Sequence, residues 1–197
     1  MIELLDTLPG KWACLAAIGV STGCRITELL MLQRHDLLNA EGAIKEEIAF
    51  VKLKSREKNA KGERKIVHRK LSIPPDFHKY VIRHLAEEEQ RGYDMPSDFV
   101  FRGKHGKSLS RHTCYNKFRS LLGSGHGTHW MRKTYAQELF RFLLKQNTSD
   151  PMRALCLTQK ALDHSRIDTT VRYLGINDEN LTNAQNEIFN IKRIKDA

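Results

Sequence analysis

The amino-acid sequence predicts a mainly α-helical fold with a small antiparallel β-sheet, an α+β class. Apolar residues recur at helical spacing over most of the chain, as where Ile26, Leu29 and Leu30 share one face. Residues 48–54 and 65–73 instead have the composition and alternation of strands. A lysine-rich segment that contains asparagine and glycine joins these two stretches, so we expect a long β-hairpin.

The first helices are predicted from prolines and glycines. Residues 9–18 should form a largely buried helix with Pro9 in its first turn, where the missing N–H of proline is tolerated. A Ser-Thr-Gly sequence ends that helix, and a second one is expected over residues 25–33. After the hairpin, two consecutive prolines stop the second strand and start a helix that reaches about residue 90.

Polar residues that cap helices mark the rest of the chain, after a short extended piece at residues 98–101. Their side chains accept hydrogen bonds from the free N–H groups of a first helical turn. The predicted caps and the helices that they open are Ser110 for residues 111–122, Thr128 for residues 129–145, Asp168 for the short helix of Tyr173, and Asn177 for a last helix to about Ile194. The sequence Ser149-Asp150-Pro151 opens a further helix to about Leu162.

The composition narrows the function classes. A chain of 197 residues with 40% hydrophobic residues is long enough to bury the core of one domain. No apolar run approaches the roughly 20 residues of a membrane helix, and the first residues lack the basic start of a signal peptide. The formal net charge of +10 indicates a polyanionic partner, with nucleic acid favoured over an anionic membrane.

Cysteines and acidic residues argue against metal chemistry. The 4 cysteines stand singly, without a Cys-x-x-Cys pair, so neither a zinc site nor disulfides are expected, as in a reducing cytosol. His126 and His129 form a His-x-x-His pair, but no cysteine or carboxylate cluster accompanies it. The sequence also contains no group of Asp and Glu residues of the kind that binds the two metal ions of a nuclease. We therefore expect no metal and no cofactor.

Three short motifs follow one another along the chain: Arg25-x-x-Glu28, His129-x-x-Arg132 and His164-x8-Tyr173. Each alone is common on ordinary helix surfaces or in half-buried positions. In this order, and in the contexts TGCRITELL, GTHWMRKTYA and LDHSRIDTTVRYLG, they resemble the tyrosine recombinases, also called phage-type integrases. The resemblance extends over about the whole chain. It implies the catalytic fold of enzymes that break and rejoin DNA.

These residue types suit phosphoryl transfer through a protein hydroxyl, which conserves the energy of the broken bond as an ester. Guanidiniums bind two phosphate oxygens in a planar fork and stay charged, so Arg25 and Arg132 are the candidates. Attack by Tyr173 needs a base and nearby positive charge, because the pKa of a tyrosine is about 10. His129 lies one turn before Arg132 on the same helical face. Glu28 should hold the orientation of Arg25 through a side-chain pair.

The resemblance assigns the remaining roles. It implies proton transfer by His129, hydrogen-bond donation to a phosphate oxygen by His164, and a covalent 3′-phosphotyrosyl intermediate. It also implies that a lysine of the hairpin is the general acid for the leaving 5′-oxygen. Lys54, at the end of the first strand, is our choice. Lys52 and Lys58 stay open because this hairpin is longer than usual.

The chain departs from the family pattern at three places. Asp163 replaces the usual glycine before the histidine, and Asp tolerates a positive φ there better than most residues. The interval before His164 is longer, with residues 146–150 as the expected insertion. Most members clamp DNA with an additional N-terminal core-binding domain, but Arg25 comes within the first turns of this chain. We therefore expect residues 1–197 to be a single catalytic domain without it, as a fragment or as a naturally short protein.

The C-terminal segment, residues 178–197, is expected to form a helix or tail. Its apolar face would dock on a neighbouring protomer or, as an equal alternative, on its own domain. The residues of that face are Leu181, Ile188, Phe189 and Ile191. The expected partner is double-stranded DNA, bound by a homotetramer, whereas the isolated domain should be monomeric and should not bind membranes. A bacterial or phage-encoded protein of the cytoplasm is expected.

Three functions compete. The first is a site-specific recombinase, either an integrase or a resolvase. The second is a type IB topoisomerase or a telomere resolvase, and the compact spacing from His164 to Tyr173 favours the recombinase over it. The third is a non-catalytic DNA-binding protein of the same fold. Presence of all six candidate positions argues against a decayed site.

Overall fold

The computed structural model describes residues 1–58, 64–146 and 150–176, without the side chains of residues 52–58 and 64–67. Contacts divide the chain into two compact units, Met1–Tyr135 and Ala136–Ala197. The mainly helical α+β fold with a small antiparallel sheet is confirmed. In the part of the chain that is described, no helix is long and apolar enough to cross a membrane.

The first unit contains most of the helices and the two-stranded sheet. Its helices are α1 Ile2–Thr7, α2 Gly10–Thr22, α3 Ile26–Leu29, α4 Arg34–Leu37, α5 Pro75–Glu89, α6 Arg111–Leu122 and the start of α7 His129–Gln146, with a single 3₁₀ turn at Lys104–Gly106. Its strands are β1 Ile48–Lys58 and β2 Arg64–Leu71. The predicted hairpin is thus present, with a longer first strand than expected.

Helix α2 is the centre of the core of this unit. It is buried along nearly its whole length and packs against α5. Trp12 on α2 meets Phe118 on α6 edge to face at 5.8 Å, and Phe118 meets Trp130 on α7 at 6.0 Å. Burial of these rings fixes the first turn of α7 against the core, because aromatic side chains contribute large apolar areas with defined geometry.

The strands β1 and β2 pair antiparallel, with Ile48 opposite Leu71 and Lys54 opposite Lys65. The register shifts between Lys54 and Lys58. Ile48 is fully buried, which anchors the base of the hairpin in the core. Near that base, Arg69 donates a hydrogen bond from Nη2 to the carbonyl of Thr22 at 3.4 Å, so the hairpin contacts the turn after α2.

The second unit consists of the rest of α7, then α8 Pro151–Leu162 and α9 Ile167–Leu174. Helices α8 and α9 pack against each other. The predicted start of α8 is confirmed, and the Asp150 side chain caps it by accepting the Arg153 N–H at 3.0 Å. Asp163 ends this helix with a left-handed backbone, φ 53° and ψ 46°. Asp163 therefore has a positive φ, a conformation that glycine adopts most readily.

Two predicted helix boundaries are wrong. The helix expected over residues 25–33 stops at Leu29, and Gln33 is extended, at φ −108° and ψ 162°, because Asp36 accepts its N–H and opens a separate helix, α4. Asp168 does not cap α9; it lies in the first turn and pairs with Arg166 at 2.7 Å. The helix expected from Asn177 and residues 178–197 lie outside the described residues, as do 147–149 of the expected insertion.

Candidate phosphate-binding and catalytic site

The turn between α2 and α3 places Arg25. Gly23 ends α2 with a left-handed backbone, φ 64°, and a Cβ there would meet the ring of Tyr135 at 2.3 Å. Only glycine fits this position without a shift of the turn or the ring. Arg132 is 2% exposed and donates a hydrogen bond from Nη1 to the Gly23 carbonyl. The second arginine therefore helps to hold the turn from which the first one projects.

Glu28 contacts Arg25 in two ways. One carboxylate oxygen accepts the backbone N–H of Arg25 at 2.7 Å, and the other lies 3.2 Å from its Nη1. Glu28 is buried, whereas the Arg25 side chain is 39% exposed. A buried carboxylate that accepts two hydrogen bonds from one residue fixes both the start of α3 and the direction of the guanidinium.

Arg25 lines one pocket together with His129 and Arg132, which follow it by more than 100 residues in the sequence. Its volume is about 130 Å³. The residues that line it are Cys24, Arg25, Ile26, Thr27, Arg111, Thr128, His129 and Arg132. This described lining contains three guanidiniums and no carboxylate, so the pocket suits an anion such as a phosphate diester.

The electrostatics of the pocket keep His129 neutral. Partial desolvation lowers its pKa first, and the charges of Arg111, Arg132, Lys133 and Arg25 lower it further. An imidazole whose pKa is lowered in this way is ready to accept a proton at neutral pH. Cys24, in contrast, is no competing nucleophile, because burial raises the pKa of its thiol to about 12.

In the second unit, His164 and Tyr173 lie together. Their ring centroids are 4.9 Å apart, edge to face. His164 follows the left-handed Asp163, and its N–H bonds to the Gln159 carbonyl at 3.1 Å, which closes the end of α8. The His164 Nδ1 lies 3.0 Å from the hydroxyl of the fully buried Thr170. This contact fixes the orientation of the His164 ring through Nδ1.

Lys54 lies in β1, opposite Lys65. Its side chain, like those of Lys52 and Lys58, is outside the described residues, and the choice of general acid stays a prediction. No group of three or more His, Cys, Asp or Glu side chains suited to a metal occurs among the residues that are described. The pocket is instead lined by positively charged arginine side chains, as a phosphate site requires.

Sequence reasoning missed Arg111 and Thr170. Arg111 lies 18 residues before His129 and belongs to none of the three motifs. One signal was available: it follows the helix cap Ser110 at a position where acidic residues are preferred. Thr170 is six residues after His164, a spacing that no single helical face explains, so only the turn between α8 and α9 brings the two together.

The model of the phage integrase family matches residues 2–180. The chain belongs to this family. It is 27% identical over 176 residues to a probable integrase/recombinase, YoeC, of Bacillus subtilis (strain 168), an alignment that covers 87% of the chain and 80% of that relative. The predicted family is therefore confirmed, and with it the class of enzyme, integrases and recombinases.

Solved structures confirm the fold. The XerA recombinase matches with a TM-score of 0.60 and 19% identity, over 94% of the chain and 60% of that protein. The XerH site-specific recombinase, in a post-cleavage complex with a palindromic difH substrate, matches with a TM-score of 0.57 and 21% identity, over 93% and 49%. The Tn1549 transposon integrase, in complex with circular intermediate DNA, matches at 0.56 and 20%, over 87% and 57%. The chain thus spans about half to three fifths of these solved recombinases.

Proposed function

We propose that this chain is the catalytic domain of a site-specific DNA recombinase. The observation that carries the proposal is the pocket in which Arg25, His129 and Arg132 converge without a carboxylate in its lining. The guanidiniums of Arg25 and Arg132 would bind the non-bridging oxygens of one phosphodiester and offset the negative charge that develops on them. The Glu28 carboxylate would keep the first guanidinium in place.

The reaction would proceed through a covalent ester of Tyr173. Its Oη attacks phosphorus, the bond from phosphorus to the 5′-oxygen breaks, and a 3′-phosphotyrosyl link forms. His129 accepts the phenolic proton, which suits its lowered pKa. His164 donates a hydrogen bond to a phosphate oxygen, and Lys54 supplies the proton for the leaving 5′-oxygen. Attack by the 5′-hydroxyl of another strand reverses each step and rejoins the DNA.

The test is capture of the covalent intermediate. A duplex library with a nick near randomised candidate sites traps the adduct, since the short cleaved strand diffuses away. Wild type should form protein-linked DNA on a denaturing gel, in EDTA as well as in buffer alone. Tyr173→Phe should form none. Sequencing of the linked strands would give the site.

Tyr135→Phe is the matched control, because it removes a tyrosine hydroxyl elsewhere in the chain and keeps the ring. It should still form the adduct. An adduct that persists in Tyr173→Phe would refute Tyr173 as the nucleophile. Salt-sensitive DNA binding by wild type without any adduct would favour the non-catalytic DNA-binding protein.

We also propose that the active assembly is a homotetramer on DNA, in the cytoplasm of a bacterial host. Apolar side chains exposed on the second unit, such as Phe142 and Met152, at 56% and 60%, are available for contacts between protomers. Light scattering after size exclusion should give a monomer for the free chain. Four copies should elute on a synaptic pair of the selected sites, and one copy per duplex at every concentration would contradict the tetramer.

A further inference from the structure

Arg111 is the third guanidinium of the pocket. It is the first residue of α6 and lines the same 130 Å³ volume as Arg25 and Arg132. The neighbouring Ser110 accepts the Thr113 N–H at 3.0 Å, which fixes the helix start that carries it. Arg111 is itself exposed to solvent.

Local structure does not explain an arginine at this position. Arg83 pairs with Glu87 at 3.2 Å and Arg91 with Glu88 at 2.7 Å on the surface of the same unit, whereas the exposed Arg119 contacts the Tyr115 hydroxyl. Arg111 forms no ion pair with the carboxylates that the structure describes. The first turn of α6 contains no acidic residue, and a cation there opposes the helix dipole. An anion bound in the pocket would offset both unfavourable effects.

The charge of Arg111 acts inside the pocket. After desolvation, it has the largest influence among the charged groups that lower the pKa of His129. The other charged groups that face this imidazole are Arg132 and Lys133 from α7 and Arg25 from the start of α3. All four carry positive charge, so each disfavours the imidazolium and all would favour a bound phosphate.

We propose that Arg111 is a third phosphate-binding residue of this site and contacts a non-bridging oxygen of the phosphodiester held by Arg25 and Arg132. The inference rests on the proposed function for the identity of that phosphodiester. It adds a contact from α6, an element that none of the three sequence motifs includes. Removal of the Arg111 charge should also raise the pKa of His129. At mildly acidic pH, more of the imidazole would then already be protonated and unable to accept a proton.

Binding of inorganic phosphate tests the contact without any DNA site. NMR of the His129 ring follows the titration in wild type and variants. Arg111→Gln should weaken phosphate binding roughly tenfold, as expected for a hydrogen-bonded ion pair, and should raise the pKa of His129. Arg111→Lys keeps the charge, so it should leave that pKa near the wild-type value while phosphate binding recovers only in part.

Two further variants complete the test. Arg83→Gln removes the same charge from α5 and should change neither quantity. Arg25→Gln should weaken binding and shows that the signal comes from the pocket. Wild-type phosphate affinity in Arg111→Gln overturns the inference. If Arg25→Gln is weakened at the same time, the phosphate pocket of the proposed function still stands. If neither variant is weakened, both fall.

DNA with one methylphosphonate identifies the phosphate that Arg111 contacts. On a selected site, the substitution is made at the cleaved phosphate or at its 3′ neighbour, and the rate of adduct formation is measured. If Arg111 binds the cleaved phosphate, the Arg111→Gln penalty should shrink on the first substrate and persist on the second. The opposite pattern, or equal penalties on both substrates, overturns the assignment.

Discussion

Glu28 is the residue whose contacts define the first arginine of the site. It accepts the N–H of Arg25 and pairs with its guanidinium, and it is buried. Glu28→Gln keeps the shape but removes the charge. We expect the rate of adduct formation to fall about tenfold or more, because hydrogen bonds to a charged group are worth about 1.5–3 kcal/mol. DNA affinity at equal salt should change much less.

Asp36→Asn is the matched control for that prediction. Asp36 accepts the Gln33 N–H at 2.8 Å in the same position of the next helix, α4, away from the pocket. Both substitutions weaken a helix start by about 1 kcal/mol, so thermal unfolding should shift similarly. Equal rates of adduct formation in the two variants would show that Glu28 acts only on stability.

Thr170 makes the corresponding contact in the second unit. Its hydroxyl lies 3.0 Å from His164 Nδ1. Thr170→Val preserves the buried volume but removes this contact, which should loosen the orientation of the imidazole and change its preferred tautomer. We expect slower adduct formation and altered ¹⁵N shifts of the His164 ring, with recovery in Thr170→Ser.

Thr158→Val separates this effect from general destabilisation. Thr158 is also fully buried, and its hydroxyl bonds to the Ala154 carbonyl within α8, a contact with no link to His164. The variant should keep wild-type His164 shifts. If both valine variants slow the reaction equally, Thr170 has no special role in orienting the histidine.

Local spacing determines which residues of the site could be predicted. Arg25 and Glu28 are three residues apart, so a helical start brings them together, and the contact is observed. Arg132 and the Gly23 carbonyl are 109 residues apart. Such convergence depends on how α2 and α7 pack, which no local pattern encodes. Arg111 was missed for this reason.

At the scale of elements, polar residues at helix starts predicted α6 and α8 but not α9, which Asp168 does not cap. Ser110 and the Asp150-Pro151 pair mark the observed starts of α6 and α8. The helix expected over residues 25–33 failed, because apolar residues continue past its true end at Leu29. There the chain bends so that the Val100 N–H reaches the Leu32 carbonyl at 2.9 Å. A backbone hydrogen bond between residues far apart in the sequence takes the place of one within a helix.

The turn between α8 and α9 depends on Asp163. Its left-handed backbone presents His164, and a β-branched residue is strained in this conformation. We expect Asp163→Val to be less stable than Asp163→Gly by about 1–2 kcal/mol, measured by urea unfolding. Both variants remove the carboxylate, so the comparison isolates the backbone. Equal stabilities would mean that the turn relaxes to another conformation.

At the scale of the whole molecule, we expect the positive charge to give the chain a general affinity for DNA. The net charge of +10 includes the cations of the pocket. Binding to an unrelated duplex should therefore weaken steeply with salt, because each neutralised phosphate releases counterions with a slope of about −0.9. Electrophoretic shifts at several salt concentrations measure that slope.

Two comparisons test whether the positive charge favours DNA over other polyanions. Arg111→Gln should reduce its magnitude by about 1, the value for one lost phosphate contact, whereas Arg83→Gln should not. Vesicles of anionic lipid at the same ionic strength carry phosphate charge without the duplex. If the positive charge is arranged for a phosphodiester in a shaped pocket, duplex binding should exceed vesicle binding at every salt concentration. Equal affinities would mean that the charge attracts polyanions in general, and that the pocket contributes nothing to the choice of DNA.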